Sequence, residues 1–220
     1  MLYTLQQVKD NLRNREGKRV FYLGKADQLT SEARDFLTRE RIEILPGQAA
    51  KQDRYRLVGG GYMEEKPEHM THLNAEFLVE KTHPRIRFRG AVDLLEAELL
   101  LAMEPLSHLS AELRQLLELA RQLIASDVLD RQVPETKLGG LEAEQLRHRS
   151  HFPQEFYGQP HFMPQPEDTK TVLLLNRLRS LTRQTELQAV AAFPDRPDMI
   201  RALNRMSSFL YILMLREKAI

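Results

Sequence analysis

Residues 168–192, DTKTVLLLNRLRSLTRQTELQAVAA, constrain the fold more than any other stretch, because no glycine or proline interrupts them before Pro194. The run predicts one long helix with Asp168 as its N-cap. Leu174, Leu178, Leu181 and Ala191 recur at helical spacing, which predicts a face packed on other helices. Beside that stripe Arg179, Arg183 and Glu186 stand at i, i+4 and i+7, spanning roughly 10 Å of one face at about 1.5 Å per residue. Two fixed cations and one carboxylate over that length suit a polyphosphate with its divalent metal. An ion-pair ladder on a solvated face is the other reading, since such pairs are common and contribute only about 0.2–0.5 kcal/mol each.

The C-terminal half continues in this style. Residues 91–104 are apolar enough to predict a central helix, with Asp93 and Glu96 as its uncommon charges. Residues 110–130 predict an amphipathic helix opening at Ser110, and 139–151 a shorter one after Gly140. The last helix, 199–218, carries Ile200, Leu203, Met206 and Leu210 as its core stripe and Asn204, Ser208 and Tyr211 as a polar seam. Residues 151–168, with Pro153, Pro160, Pro164 and Pro166, predict an irregular loop whose aromatics would order against a planar apolar ligand.

The N-terminal part reads differently. A short helix capped by Thr4, a strand at 19–23, a helix opened by Thr30 or Ser31 and a strand at 42–45 predict a small α/β cassette with no sign of chemistry. Gly59, Gly60 and Gly61 read as a flexible link, which divides the chain into 1–58 and 59–220. Within 55–90, residues 77–80 and 86–90 read as short extended segments. Thr71, His72, Lys81, His83, Arg85, Arg87 and Arg89 crowd polar donors into a loop, a frequent setting for ligand sites, although solvated basic residues are the plainer reading.

Composition removes several function classes. With 32 basic and 31 acidic residues the chain has no global field to draw it onto nucleic acid or anionic lipid. Without cysteine it has no disulfide, thiolate metal site or thiol redox chemistry. No apolar run approaches the roughly 20 residues of a membrane span, and the start lacks a signal peptide's apolar core, so a cytoplasmic protein is the expectation. Neither the Walker phosphate loop nor the Rossmann glycine fingerprint occurs. His148, His151 and His161 are the histidines that could hold zinc, but no carboxylates stand at a diagnostic spacing, and no protein-bound transition metal is expected.

Three separated segments carry a resemblance: KTHPRIRFRGAVDLLEAELL at 81–100, the R-x-x-x-R-x-x-E of Arg179 to Glu186, and ALNRMSSFLYIL at 202–213. Together they resemble the ATP:corrinoid adenosyltransferases of the propanediol-utilisation type, and within that superfamily the ethanolamine-utilisation branch. The resemblance implies a mainly α fold, a ferritin-like up-down bundle of five helices with a small N-terminal α/β extension, and a trimer with active sites between neighbouring subunits. It implies catalytic roles for Arg179, Arg183 and Asp93, the last pairing with Arg179. ATP would be held by Lys81, Arg183, Glu186 and Asn204, with Thr71 and His72 as positional candidates, and Glu186 would serve the Mg²⁺ that accompanies ATP. Phe162 is the implied apolar wedge against the lower face of the corrin, with Phe156 and His161 as alternatives.

The implied reaction is transfer of the 5′-deoxyadenosyl group of ATP to Co(I) of reduced cobalamin, giving adenosylcobalamin and triphosphate or its hydrolysis products. An external reductase, an adenosylcobalamin-dependent ethanolamine ammonia-lyase and microcompartment proteins are the implied partners, and a microcompartment interior is a possible location. The competing class is a non-catalytic helical scaffold or corrinoid carrier, which would scatter the six site residues over solvated faces. Two departures stand out. Ser208 replaces the aspartate of the family's L-N-R-L-S-D, and Lys81, Thr82 and Arg85 stand where some relatives carry metal-binding cysteines after a histidine, here His69.

Overall fold

The computed structural model describes residues 1–15, 17–47 and 55–219, which form two compact units, Met1–His83 and Pro84–Ile220. The expected division at 58/59 falls inside the first unit. The three glycines there make a tight turn rather than a link: the Gly60 N–H donates to the Leu57 carbonyl, and the Leu57 N–H to the Gly61 carbonyl, both at 3.0 Å. Gly60 and Gly61 have φ of +91° and +86°, and a Cβ on Gly61 would lie 2.8 Å from the Leu12 carbonyl oxygen. Only glycine meets both demands.

The first unit runs β1 (Leu2–Tyr3), α1 (Leu5–Asp10), β2 (Arg13–Arg15), β3 (Lys18–Leu23), β4 (Gln28–Leu29), α2 (Ser31–Arg39), β5 (Glu43–Pro46), β6 (Tyr55–Leu57), β7 (Tyr62–Met63), β8 (Met70–His72) and β9 (Phe77–Glu80). Seven of these strands form one mixed sheet in the order β5-β3-β2-β7-β6-β9-β8. The cassette read from the sequence is present: Thr4 caps α1 through a capping box with Gln7, and Thr30 caps α2 by accepting the Ala33 N–H. Val8, Phe21, Ala33, Phe36 and Leu37 form its core.

The second unit is helical: α3 (Pro84–Met103), a 3₁₀ turn (Ser107–Leu109), α4 (Ser110–Val128), α5 (Ala143–His151), α6 (Pro153–Tyr157), α7 (Lys170–Ala192) and α8 (Pro197–Lys218). The chain is therefore mainly α with a small N-terminal α/β part. Residues 86–90, read as extended, lie within α3, which starts at Pro84 because a proline is tolerated where no intrahelical N–H is needed. The loop at 151–168 is partly helical for the same reason. Pro153 opens α6, and Gly158, in the left-handed conformation, closes it.

The central helix is α8, not the helix of 91–104. Phe209 to Leu215 are all buried, so α8 is covered on every side along about two turns. On α3, Phe88, Val92, Leu95 and Leu99 are fully buried, whereas Leu94, Leu100 and Leu101 are exposed. On α7 the buried row is Val172, Leu175, Leu178, Thr182, Thr185 and Ala189, with Leu174 and Leu181 at its margin and Ala191 exposed. The two threonines are tolerated inside because their hydroxyls back-bond: Thr182 to the Leu178 carbonyl at 2.8 Å, Thr185 to the Leu181 carbonyl at 3.0 Å. The cap of α7 is Thr169, whose side chain accepts the Val172 N–H; Asp168 instead pairs with Lys218 at 2.6 Å.

Candidate active site

The pairing of Lys218 with Asp168 and of Asn204 with Glu186 shows α7 and α8 running antiparallel. This brings Arg179 and Arg183 of α7 opposite Asn204, Ser208 and Tyr211 of α8. With Phe162 from the preceding loop they line a cleft of about 320 Å³. Asn204 donates from Nδ2 to one carboxylate oxygen of Glu186 at 3.1 Å, so Glu186 borders the same site. Its other oxygen has no partner among the described residues, which leaves it available to a cation.

Neither Arg179 nor Arg183 forms an ion pair among the described residues. Burial holds the Arg179 guanidinium below its ordinary pKa; the neighbouring Arg183 charge lowers it further, while Tyr211 opposes the change. Arginine nonetheless stays protonated at neutral pH. Two adjacent cations without carboxylates are costly to bring together. An anion between them removes that cost, and planar guanidinium forks fit phosphate oxygens well.

The expected residues Asp93, Lys81, Thr71, His72 and Phe156 are not among those that line this cleft. Asp93 is exposed on α3 and pairs with nothing among the described residues, so the expected Asp93–Arg179 pair is not made within one chain. Lys81, Thr71 and His72 belong to the first unit: Lys81 is exposed, Thr71 pairs with Val79 in the sheet, and the His72 ring lies 5.7 Å from that of Tyr55. Phe156 is exposed, beside the ring of His148 and the guanidinium of Arg149, and does not line the cleft, whereas Phe162 and the alternative His161 both do. Arg85 and Arg89, read among the ligand-seeking donors, instead clasp the fully buried Asp127 through Nε at 2.6 Å each.

The three histidines do not gather. His148 meets the edges of Phe152 and Phe156, His151 Nδ1 faces the Arg147 carbonyl, and His161 faces Tyr211 and the His151 carbonyl. Among the described residues no three metal-binding side chains cluster. A second cleft of similar size, about 330 Å³, is lined by Arg201 and Arg205. Its four carboxylates, Glu135, Glu142, Glu144 and Asp198, outnumber those arginines, which makes it the poorer host for a polyanion.

The cobalamin adenosyltransferase family model matches residues 61–217. The chain belongs to that family. The matched region begins near the 58/59 division read from the sequence and takes in the last strands of the first compact unit. The chain is 32% identical over 168 residues to the corrinoid adenosyltransferase EutT of Salmonella typhimurium, an alignment covering 70% of this chain and 61% of that protein. It is 33% identical over 164 residues to EutT of Escherichia coli, covering 69% and 59%. It thus spans about three-fifths of the length of these relatives. Its fold resembles those of two variants of a PduO-type ATP:corrinoid adenosyltransferase from Lactobacillus reuteri complexed with cobalamin and ATP. The TM-scores are 0.56 and 0.55 at 16% and 17% identity, covering 69% of this chain and 90% and 88% of those chains.

For a cobalamin adenosyltransferase family member, the cleft contains two features that the ligand assignments from sequence omitted. Ser208, at the departure from the family's aspartate, lines it directly. Tyr211 lines it too, with the Arg179 guanidinium over its ring at 5.3 Å and its hydroxyl accepting the Phe162 N–H at 3.1 Å. The i, i+4, i+7 seam of Asn204, Ser208 and Tyr211 was the signal that pointed to both. No helix among the described residues is long and apolar enough to cross a membrane.

Proposed function

We propose that this chain is an ATP:corrinoid adenosyltransferase, transferring the 5′-deoxyadenosyl group of ATP to Co(I) of reduced cobalamin. The observation that carries this reading is the uncompensated pair Arg179 and Arg183, beside Asn204 and Phe162 in one cleft of a chain from this family. Residues 59–220 carry the activity and 1–58 form an extension.

The electron pair of Co(I) attacks C5′, the Co–C bond forms, and the C5′–O bond breaks with its electrons leaving on triphosphate. Co(I) is already strongly nucleophilic, so the protein needs no general base. Its task is to align the two reactants and to neutralise the departing polyanion, and fixed cations in a half-desolvated cleft do this with little reorganisation. Arg179 and Arg183 face the triphosphate, and Lys81 adds a third cation from the strand-rich segment. Asn204 orients Glu186, whose open carboxylate oxygen suits the Mg²⁺ that accompanies ATP. Thr71 and His72 are positional candidates for the nucleotide. Phe162 presents an apolar face to the corrin and keeps a lower axial ligand off cobalt.

Asp93 contributes from a second copy, pairing there with Arg179. The exposed Leu94, Leu100 and Leu101 of α3 and Leu187 and Val190 of α7 give the copies apolar surface to share, in a homotrimer. A monomeric mass at working concentration in solution would remove this part of the reading. The chain has no cysteine and supplies no electron of its own, so a separate reductase delivers Co(I). Supply of an ethanolamine ammonia-lyase, in the cytoplasm or a microcompartment, is the physiological role that the resemblance to the EutT proteins supports.

The test is an assay with chemically reduced cobalamin and Mg·ATP, without transition metal. Adenosylcobalamin and stoichiometric triphosphate are expected. Activity lost to a transition-metal chelator in excess Mg²⁺, and restored by Zn²⁺ or Fe²⁺, would overturn the metal-independent form of the proposal. No product under any of these conditions would overturn the activity itself.

A further inference from the structure

Tyr211 is held at 8% exposure on α8, at the centre of a connected set of contacts. Its hydroxyl oxygen accepts the Phe162 N–H at 3.1 Å and lies 3.3 Å from Nδ1 of His161. Nε2 of the same imidazole lies 3.1 Å from the His151 carbonyl oxygen. One assignment of hydrogens satisfies all three: Phe162 N–H to the hydroxyl, the hydroxyl proton to Nδ1, and Nε2–H to the carbonyl. The Tyr211 ring meanwhile stacks with His161 and with Phe162, each at 5.8 Å between centroids. The guanidinium carbon of Arg179 lies 5.3 Å from the ring centroid.

We infer that Tyr211 is a positioning residue: its hydroxyl pins the 161–162 segment to α8, and its ring steadies Arg179. One side chain thereby fixes the spacing between the loop aromatic and the leaving-group cation. The inference rests on the proposed reading of this cleft as the place where nucleotide and corrinoid meet. The hydroxyl matters because residues 159–165 belong to no helix or strand, so the Phe162 N–H has no ladder to join. This anchor, supplied by the protein itself, acts beside the planar ligand against which the loop's aromatics are expected to order. The ring matters because a cation over an aromatic face is held without a carboxylate, which would compete for the triphosphate.

The two functions separate by substitution in the full chain. Tyr211→Phe keeps the ring and deletes only the hydroxyl. Amide exchange at Phe162 is expected to rise roughly fivefold, the size of one neutral hydrogen bond, with the amides of 203–210 unchanged. The KM for corrinoid should rise by a similar factor while the KM for ATP stays within about twofold. Tyr211→Leu removes the ring as well and should further lower kcat and weaken ATP, by roughly fivefold each. Unchanged Phe162 exchange and unchanged corrinoid KM in Tyr211→Phe would overturn the inference. Because amide exchange needs no turnover, it reads the tether even if the wild-type chain forms no adenosylcobalamin, and that failure would instead count against the proposed activity.

Discussion

Two of the arginine pairs in the helical unit share a spacing and have opposite fates. Arg85 and Arg89 on α3 are i and i+4, and both close on the fully buried carboxylate of Asp127 at the end of α4. Arg85 also donates to the Asp127 carbonyl oxygen at 2.8 Å. Arg179 and Arg183 on α7 are likewise i and i+4, but they face a cleft with no carboxylate paired to either. The first pair is neutralised in place and has little left to offer a ligand. The second retains its charge, and a site for a polyanion requires that. Residue type and spacing are identical, so the distinction lies in whether the fold delivers an acid from elsewhere in the chain.

The largest effect should come from breaking the closed pair. Asp127→Ala leaves two partly buried guanidinium groups facing a hole, and removing one side of a buried ion pair costs about 3–5 kcal/mol. Denaturant unfolding reads this directly, and a loss below about 1 kcal/mol would erase the contrast. Arg183→Ala should do the reverse. Alanine is the better helix former and Arg183 is exposed, so stability should hold within about 0.5 kcal/mol. Adenosyl transfer should fall roughly 10²–10³-fold, the loss expected for one fixed charge-stabilising group. Near-normal turnover in the folded variant would remove Arg183 from the site.

Smaller effects sharpen the picture. Phe162→Ala should lower turnover roughly tenfold, whereas Phe156→Ala, outside the cleft, should stay within about twofold. Comparable losses in both would mean that the cleft does not select between the two aromatics. Arg196 with Asp198 is an intermediate case, an ion pair at the start of α8. The Arg196 hydrogen bond is the main influence holding the Asp198 carboxyl down to about 2, against the usual carboxylate range. Because the folded pKa is lower than the unfolded one, the contribution is complete above about pH 4 and fades as pH falls toward 2. Asp198→Asn should therefore flatten the acid limb of the stability profile between about pH 4 and 2 and leave turnover near neutral pH unchanged. An unaltered acid limb would show that the pair contributes nothing measurable.

The same contrasts separate what is legible in the sequence from what is not. Thr4 and Thr30 were legible as caps because a cap is a local device, decided within three residues. The Arg179–Arg183–Glu186 row was legible because helical periodicity places it on one face, whereas Phe162 was singled out from Phe152, Phe156, Tyr157 and Phe162 through the family resemblance alone. Asp127 was not legible as the partner of Arg85 and Arg89, since 42 and 38 residues separate them and no period links them. The helix of 91–104 looked central because it is apolar all round, yet Leu94 and Leu101 face outward in one chain, and composition cannot separate a core from a shared surface. The reverse error hid Thr182 and Thr185, polar residues that reach the interior because they satisfy themselves on the preceding turn.

Whether the open arginine pair holds the leaving group is decided by calorimetric titration of inorganic triphosphate with Mg²⁺, at low and moderate salt, into the wild-type chain and into Arg179→Ala/Arg183→Ala. Binding to the wild type should be salt-sensitive, and the double variant should lose roughly a hundredfold or more with unfolding unchanged. Equal binding by the two proteins would contradict this placement, because the open arginine pair would then not be where the leaving group sits.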